Sequence, residues 1–289
     1  MRGRSAASAA AKAPGAGLSP HVAAMVSEHI GHVFSVCRDA VARGLVRIGL
    51  RPNHITILGM VFTVAAGVAV AAGRAHWRPL AVGLLVGAGA CDMLDGAMAN
   101  LAGLATRFGA ILDSVCDRVS DTALFFGIVF YYALHPDAQT HPPNLTLAVL
   151  GALGLLWAYL TSYVRAKARE EGAQADGGFW QRGERVVTLV LGLAFLHLAT
   201  AVWILGIFPV ATVAHRLWRA RRTAAAGDAV VRPPGGDDPR GLLGVILFRW
   251  PRGTLPFDIQ AGVTVALLVF VPVPEIDPLG RLLAHLLGA

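Results

Sequence analysis

The chain has 289 residues, 55% of them hydrophobic and only 15% charged, with a mean hydropathy of +0.58; this balance excludes a large soluble domain and points to a polytopic membrane protein. A net charge of +7 and a pI near 10.0 suit a protein that sits on an anionic leaflet or handles phosphates, and arginines clustered between apolar runs argue against a nucleic-acid partner. The three cysteines, Cys37, Cys91 and Cys116, have no CxxC or metal-ligand spacing and read as reduced packing residues.

Residues 1–20 are rich in Ala, Gly, Ser and Pro, and no apolar core of signal-peptide length follows their charges, so a disordered cytosolic tail is expected. From His21 to Leu50 apolar residues recur at helical spacing with Arg38, Arg43 and Arg47 between them. The pattern predicts an N-terminal interfacial amphipathic helix ended by Arg51 and Pro52; a helix packed on a soluble core is the alternative. Membrane spans are predicted over Ile55 to Ala72, Leu80 to Ala102, Phe108 to Leu134 and Leu145 to Arg165. Between the last two lies HPDAQTHPPN (135–144), a turn-rich loop, and after them a long polar segment, AKAREEGAQADGGFWQRGER (166–185).

The run from Val186 to Leu217 is about 32 residues, roughly 48 Å as a helix, too long for one span and tight for two. It is read as two short or re-entrant spans, giving an all-α polytopic bundle of about six spans. With that count Arg38, Arg43, Arg47, Arg51, Arg107, Arg165, Lys167, Arg169, Arg182, Arg185, Arg216, Arg219, Arg221 and Arg222 fall on one side, which the positive-inside rule makes cytosolic; only Arg74 and Arg78 depart. The expected organisation is a membrane-embedded domain over 21–222, followed by a linker and an apolar C-terminal extension over 223–289 to which no role is assigned.

The stretch CDMLDGAMANLAGLATRFGAILDSVCDRVSD (91–121) sets acids in membrane-grade sequence. Helical spacing puts Asp92 and Asp95 on one face, and Asp113, Asp117 and Asp121 on another. Each intramembrane Asp costs about 2.5 to 3.5 kcal/mol, so carboxylates converging from two helices call for divalent cations. Oxygen ligation selects Mg²⁺ or Mn²⁺ over Zn²⁺, and four carboxylates can hold two ions about 3.5 to 4 Å apart, which suits phosphoryl transfer. Gly96 and Gly109 sit where a missing side chain lets a phosphate approach; close helix packing is the other reading of each glycine, and a structural hydrogen bond the other reading of a single Asp.

Asp92, Asp95, Gly96, Ala99, Gly109, Asp113 and Asp117 match the signature of the CDP-alcohol phosphatidyltransferases, D-x2-D-G-x2-A-R-x8-G-x3-D-x3-D, at every spacing. The chain resembles that family over about residues 40–222. RPNHIT (51–56), DMLDGAMA (92–99), TRFGAILDSVCDR (106–118), SYVRAKA (162–168) and DGGFWQRGER (176–185) are most similar to its bacterial phosphatidylinositol phosphate synthases. One position departs: Asn100 stands where the family carries Arg. Arg offers a charged fork to a diphosphate, whereas Asn offers neutral donors on a shorter reach, so weaker nucleotide-lipid binding is expected.

The resemblance implies a cell-membrane enzyme of a bacterium, its site facing the cytoplasm, that transfers a phosphatidyl group from CDP-diacylglycerol to inositol phosphate and releases CMP. Asp92, Asp95, Asp113 and Asp117 would hold two Mg²⁺ ions, with Mn²⁺ as a substitute, and Asp117 would also be the catalytic base. Asn53, His54, Ile55, Thr56, Gly96, Ala99, Asn100, Thr106 and Gly109 would surround CDP-diacylglycerol. Arg165, Lys167, Arg185 and Arg216 would bind the inositol phosphate; positive-inside flanking charge is the other reading of each. Membrane lipid is an expected partner, and family members are often homodimers. Three alternatives stay open: another acceptor such as glycerol phosphate, an inactive scaffold, and a divalent-cation transporter. The last is disfavoured because spans 1 and 4 and the run after Val186 contain no acid.

Overall fold

A computed structural model describes residues 35–73, 76–134, 143–225, 255–271, 273 and 276–287, and every regular element among them is a helix. The expected tail at 1–20, the first part of the expected amphipathic helix, most of the 135–144 loop and most of the linker lie outside the described residues. The helices are α1 (35–47), α2 (Pro52–Ala72), α3 (Trp77–Leu101), α4 (Arg107–Leu134) and α5 (Leu145–Glu170). They are followed by α6 (Arg182–Ala194), α7 (Leu198–Ile207), α8 (Pro209–Ala225), α9 (Leu255–Phe270) and α10 (Pro278–Leu287).

The boundaries correct several sequence expectations, each for a local reason. Gly49, not Arg51 and Pro52, ends α1: its φ of 86° lets Gly49 N and Leu50 N turn back onto Val46 O and Leu45 O. Pro52 instead begins α2, where a proline loses no hydrogen bond. Helix α3 starts at Trp77 rather than near Leu80, because Trp77 is buried against the Tyr131 ring at 4.9 Å. Helix α5 runs past Arg165 to Glu170; Ala168 packs on Ala173 and Ala175, and Lys167 pairs with Glu170 and Glu171 at 3.2 and 2.8 Å.

A turn at Phe195–His197 splits the run after Val186. It divides into α6, of 13 residues, and a longer unit over Leu198–Ala224 that is broken only at Phe208, before Pro209. Among the described residues, four helical units are long and apolar enough to cross a membrane: α2, α3, α5 and Leu198–Ala224. Helix α4 matches them in length at 28 residues but carries three acids, Asp113, Asp117 and Asp121.

Small residues let the spans approach closely, as membrane helices require when burial against lipid supplies no driving force. Helices α2 and α4 cross at Gly67 and Gly127, where an added Cβ on either would collide with the backbone of the other helix. Gly154 likewise seats the Phe125 ring, and Gly206 lies on Leu150 while its carbonyl accepts from Trp157 Nε1 at 2.8 Å. The main core joins α2 to α7 and includes Leu85, Ile128, Leu147, Trp180, Leu189 and Leu205. A smaller cluster holds α1 through Ala42, Leu45 and Val46 against Ile55, Cys91 and Met98. Apolar side chains such as Val68, Val86, Phe126 and Leu156 are exposed on the outside, as a bundle solvated by lipid demands.

Candidate active site

The fold brings one end of each of α2, α3, α4 and α6 together. Asp92 on α3 and Asp113 and Asp117 on α4 each point one carboxylate oxygen to a common place, and these oxygens all lie within 4.8 Å of one another. Asp95 lines the same cavity and is buried; Thr56 Oγ1 on α2 donates to its Oδ2 at 2.5 Å. Three converging carboxylates with a fourth lining the same cavity repel one another, and an all-oxygen donor set of this kind suits a hard divalent ion.

Arg182 is the residue that the sequence reading left out of the site. As the first residue of α6 it reaches into the cluster, donating from Nη1 to Asp92 Oδ1 at 2.9 Å and lying 2.8 Å from Asp117 Oδ1. It supplies one positive charge to an excess of negative ones, and the balance is what a bound cation would neutralise. In the sequence Arg182 lies within the family-like segment DGGFWQRGER and close to Arg185 at the polar entry to an apolar run, a place that equally describes ordinary flanking charge. Arg118 adds a second cation on the far side, 3.7 Å from Asp117 and stacked over Tyr159 at 5.9 Å.

Asp121 takes no part in the cluster. Its carboxylate is 2.9 Å from Arg185 Nη2, and both side chains are nearly inaccessible. Arg185 also donates to Trp180 O at 3.2 Å. An arginine expected to hold the acceptor is thus engaged in pinning α6 to α4. The other three are divided. Arg216 is buried and donates to Gly177 O at 2.9 Å and Thr161 O at 2.5 Å. Arg165 and Arg169 share Asp176 at 2.8 and 3.1 Å, beside the same loop. Lys167 faces away; beside it the Glu171 carboxyl is held below the usual carboxylate range by the lysine's hydrogen bond.

The expected nucleotide-lipid residues are partly assembled. Thr106 Oγ1 accepts from Gly109 N at 2.9 Å, and an added Cβ on Gly109 would meet Thr106 Oγ1 at 3.1 Å and Asn53 Oδ1 at 3.2 Å. Asn53, Thr106 and Gly109 therefore lie together at the start of α4. Gly96 borders open space, and Asn100 is exposed near the end of α3, one residue beyond the half-buried Ala99. His54 accepts from Arg51 N at 3.4 Å in the cap of α2, while Ile55 is buried among Cys91, Ala97 and Met98.

The model of the CDP-alcohol phosphatidyltransferase family matches residues 50–218. The chain belongs to the CDP-alcohol phosphatidyltransferase family. It is 34% identical over 215 residues to the phosphatidylinositol phosphate synthase of Mycobacteroides abscessus, covering 71% of this chain and 93% of the relative. To the synthase of Mycobacterium tuberculosis it is 36% identical over 221 residues, covering 71% and 94%. Crystal structures of the M. tuberculosis synthase superpose with a TM-score of 0.58. The form with CDP-DAG bound is 31% identical and is matched over 68% of this chain and 98% of that one. The complex with manganese and citrate is 32% identical and is matched over 69% and 96%. The phosphatidyltransferase match contains all four carboxylates and Arg182, whereas α9 and α10 lie beyond it. The chain is thus a transferase built as a polytopic membrane helical bundle.

Proposed function

We propose that this phosphatidyltransferase moves a phosphatidyl group from CDP-diacylglycerol to an inositol phosphate, producing phosphatidylinositol phosphate and CMP, in a bacterial cell membrane with the carboxylates facing the cytoplasm. The observation that carries the reading is the convergence of Asp92, Asp113 and Asp117 within 4.8 Å at a place the family signature marks. The names of the relatives, and the CDP-DAG and manganese in the M. tuberculosis structures, support the donor, the acceptor class and a divalent ion. The basic side chains gathered at this end of the bundle support its cytoplasmic placement.

Asp92, Asp95, Asp113 and Asp117 would hold two Mg²⁺ ions, for which Mn²⁺ can substitute. When bound, the ions neutralise charge on the diphosphate of the donor. Thr56 fixes the Asp95 carboxylate by its hydrogen bond at 2.5 Å, so that this ligand does not turn away. Asn53, Thr106 and Gly109 form the wall along which the nucleotide lies, and the bare face at Gly96 leaves room for its phosphates. Asp117 takes the proton from the inositol hydroxyl. That oxygen bonds to the phosphorus bearing diacylglycerol, the bond from this phosphorus to the CMP oxygen breaks, and CMP leaves. Arg165 and Arg216, on either side of the Asp176–Gly177 loop, receive the acceptor's phosphate.

The acceptor is tested by supplying purified protein in Mg²⁺ with CDP-diacylglycerol and, separately, inositol phosphate, glycerol phosphate or inositol. CMP release is expected to be fastest with inositol phosphate. Equal or faster release with glycerol phosphate would move the assignment to another acceptor within the same chemistry.

A further inference from the structure

Beyond the family match, the chain returns to the bundle at the end farthest from the carboxylates. Helix α9 packs on α6 and α7, contributing Leu268 to the core. Its last carbonyls, which no helical partner satisfies, are taken up by the bundle. Leu268 O lies 2.7 Å from His197 Nδ1 in the α6–α7 turn, and Val271 O accepts from Thr200 Oγ1 at 3.2 Å. The same hydroxyl accepts from Val273 N at 3.0 Å.

The segment then crosses to α5, where Asp277 caps the helix from 132 positions away in sequence. Its carboxylate accepts from Leu145 N at 3.1 Å, Thr146 N at 2.9 Å and Thr146 Oγ1 at 2.5 Å, and from Gly280 N at 3.0 Å in the first turn of α10. Thr146 Oγ1 accepts in turn from Leu279 N at 3.0 Å. Asp277 therefore serves the N-termini of α5 and α10 together, where an anion is favoured. Burial pushes its carboxyl up, yet the bonds from Thr146, Gly280 and Leu145 outweigh burial and hold it below the usual carboxylate range.

This anchorage sets the depth of α10. From the start of α5 to Arg165 is roughly 20 residues, or about 30 Å, the thickness of a hydrocarbon core, so Leu145 lies at its far boundary. Helix α10 begins at that level and, at 10 residues, is too short to span. Leu279, Leu282, Leu283 and Leu286 form one exposed stripe along it, while Arg281 and His285 lie on the opposite side. A charged face opposite a leucine face, starting at the boundary of the apolar layer, fits a lipid surface.

We propose that α9, Asp277 and α10 form a clamp on the distal end of the bundle, pinned to α5 by Asp277 and seated through the leucine face of α10 in the lipid of the leaflet opposite the carboxylates. The occupant of that face is lipid, because α10 starts beside Leu145 and Thr146, at the boundary of the apolar layer that α5 crosses.

The test uses the full chain with Cys37, Cys91 and Cys116 replaced by Ala, carrying Leu283→Cys or Arg281→Cys labelled with an environment-sensitive fluorophore. The protein is placed in phosphatidylglycerol-containing vesicles with nitroxide on the acyl chains. Quenching roughly twofold or more stronger at 283 than at 281 is expected. Equal quenching at the two positions overturns the lipid seat. So does an unquenched 283 whose unlabelled Leu283→Cys protein, on air oxidation, forms a disulfide between two copies of the chain, which would make the face a self-association surface. Asp277→Ala, and more mildly Thr146→Val, should erase the difference between 283 and 281; a difference unchanged in both variants overturns the clamp.

Discussion

At residue scale, each of the site's acids has acquired a separate task. Asp92, Asp113 and Asp117 converge, Asp95 is steadied by Thr56, and Asp121 is withdrawn into a pair with Arg185. Spacing along two helices grouped all five on two faces, because chemistry that needs carboxylates on facing helices leaves a periodic trace in sequence, and the family signature singled out the first four. It did not reveal the partners. Arg182 comes from a helix some 90 positions away from Asp92, and no local pattern records a contact closed by tertiary folding. The departure at Asn100 is open to direct test. Its side chain is exposed near the end of α3, so a longer cation can be accommodated without repacking. Asn100→Arg is expected to lower the apparent KM for CDP-diacylglycerol by roughly 5- to 30-fold, the range of a charge-assisted contact worth about 1 to 2 kcal/mol. Saturation curves for the donor lipid check this, and an unchanged KM would show that the diphosphate lies out of reach of position 100.

At the scale of elements, the decisive connection is between α4 and α6. Arg185 and Asp121 are both nearly inaccessible and lie 2.9 Å apart. Removing one partner leaves the other charge buried and alone, at about 3 to 5 kcal/mol, whereas replacing both with apolar groups is close to neutral. Asp121→Ala is therefore expected to depress the thermal midpoint in detergent far more than the double variant Asp121→Leu with Arg185→Met. Comparable losses in the two would mean that the pair contributes little to holding α6. The start of α5 was legible in sequence because Asn144 caps it. The ends of α1 and α5 were misplaced: the first depends on one glycine at positive φ, and the second on alanine packing and ion pairs that prolong a helix past its apolar segment. The run after Val186 was legible as two segments, but the place of its division was not. Hydropathy measures the length of an apolar run but not where a turn divides it, here at Phe195–His197.

At the scale of the whole molecule, the bundle is polarised. The carboxylates, the basic residues around Asp176 and the start of α6 gather at one end, and the C-terminal segment ties the other. That segment was the least legible part of the chain, since its two apolar runs are too short to read as spans and its hydrogen bonds reach back across 132 positions. The central claim rests on the first end, where a carboxylate cluster in a phosphatidyltransferase bundle carries out transfer with Asp117 as its base. It is tested most directly by CMP release from CDP-diacylglycerol and inositol phosphate in Mg²⁺, comparing the purified protein with Asp117→Asn. The account predicts release by the unaltered protein and a fall of about 10²- to 10⁴-fold in the variant. Release at the same rate in Asp117→Asn would contradict it.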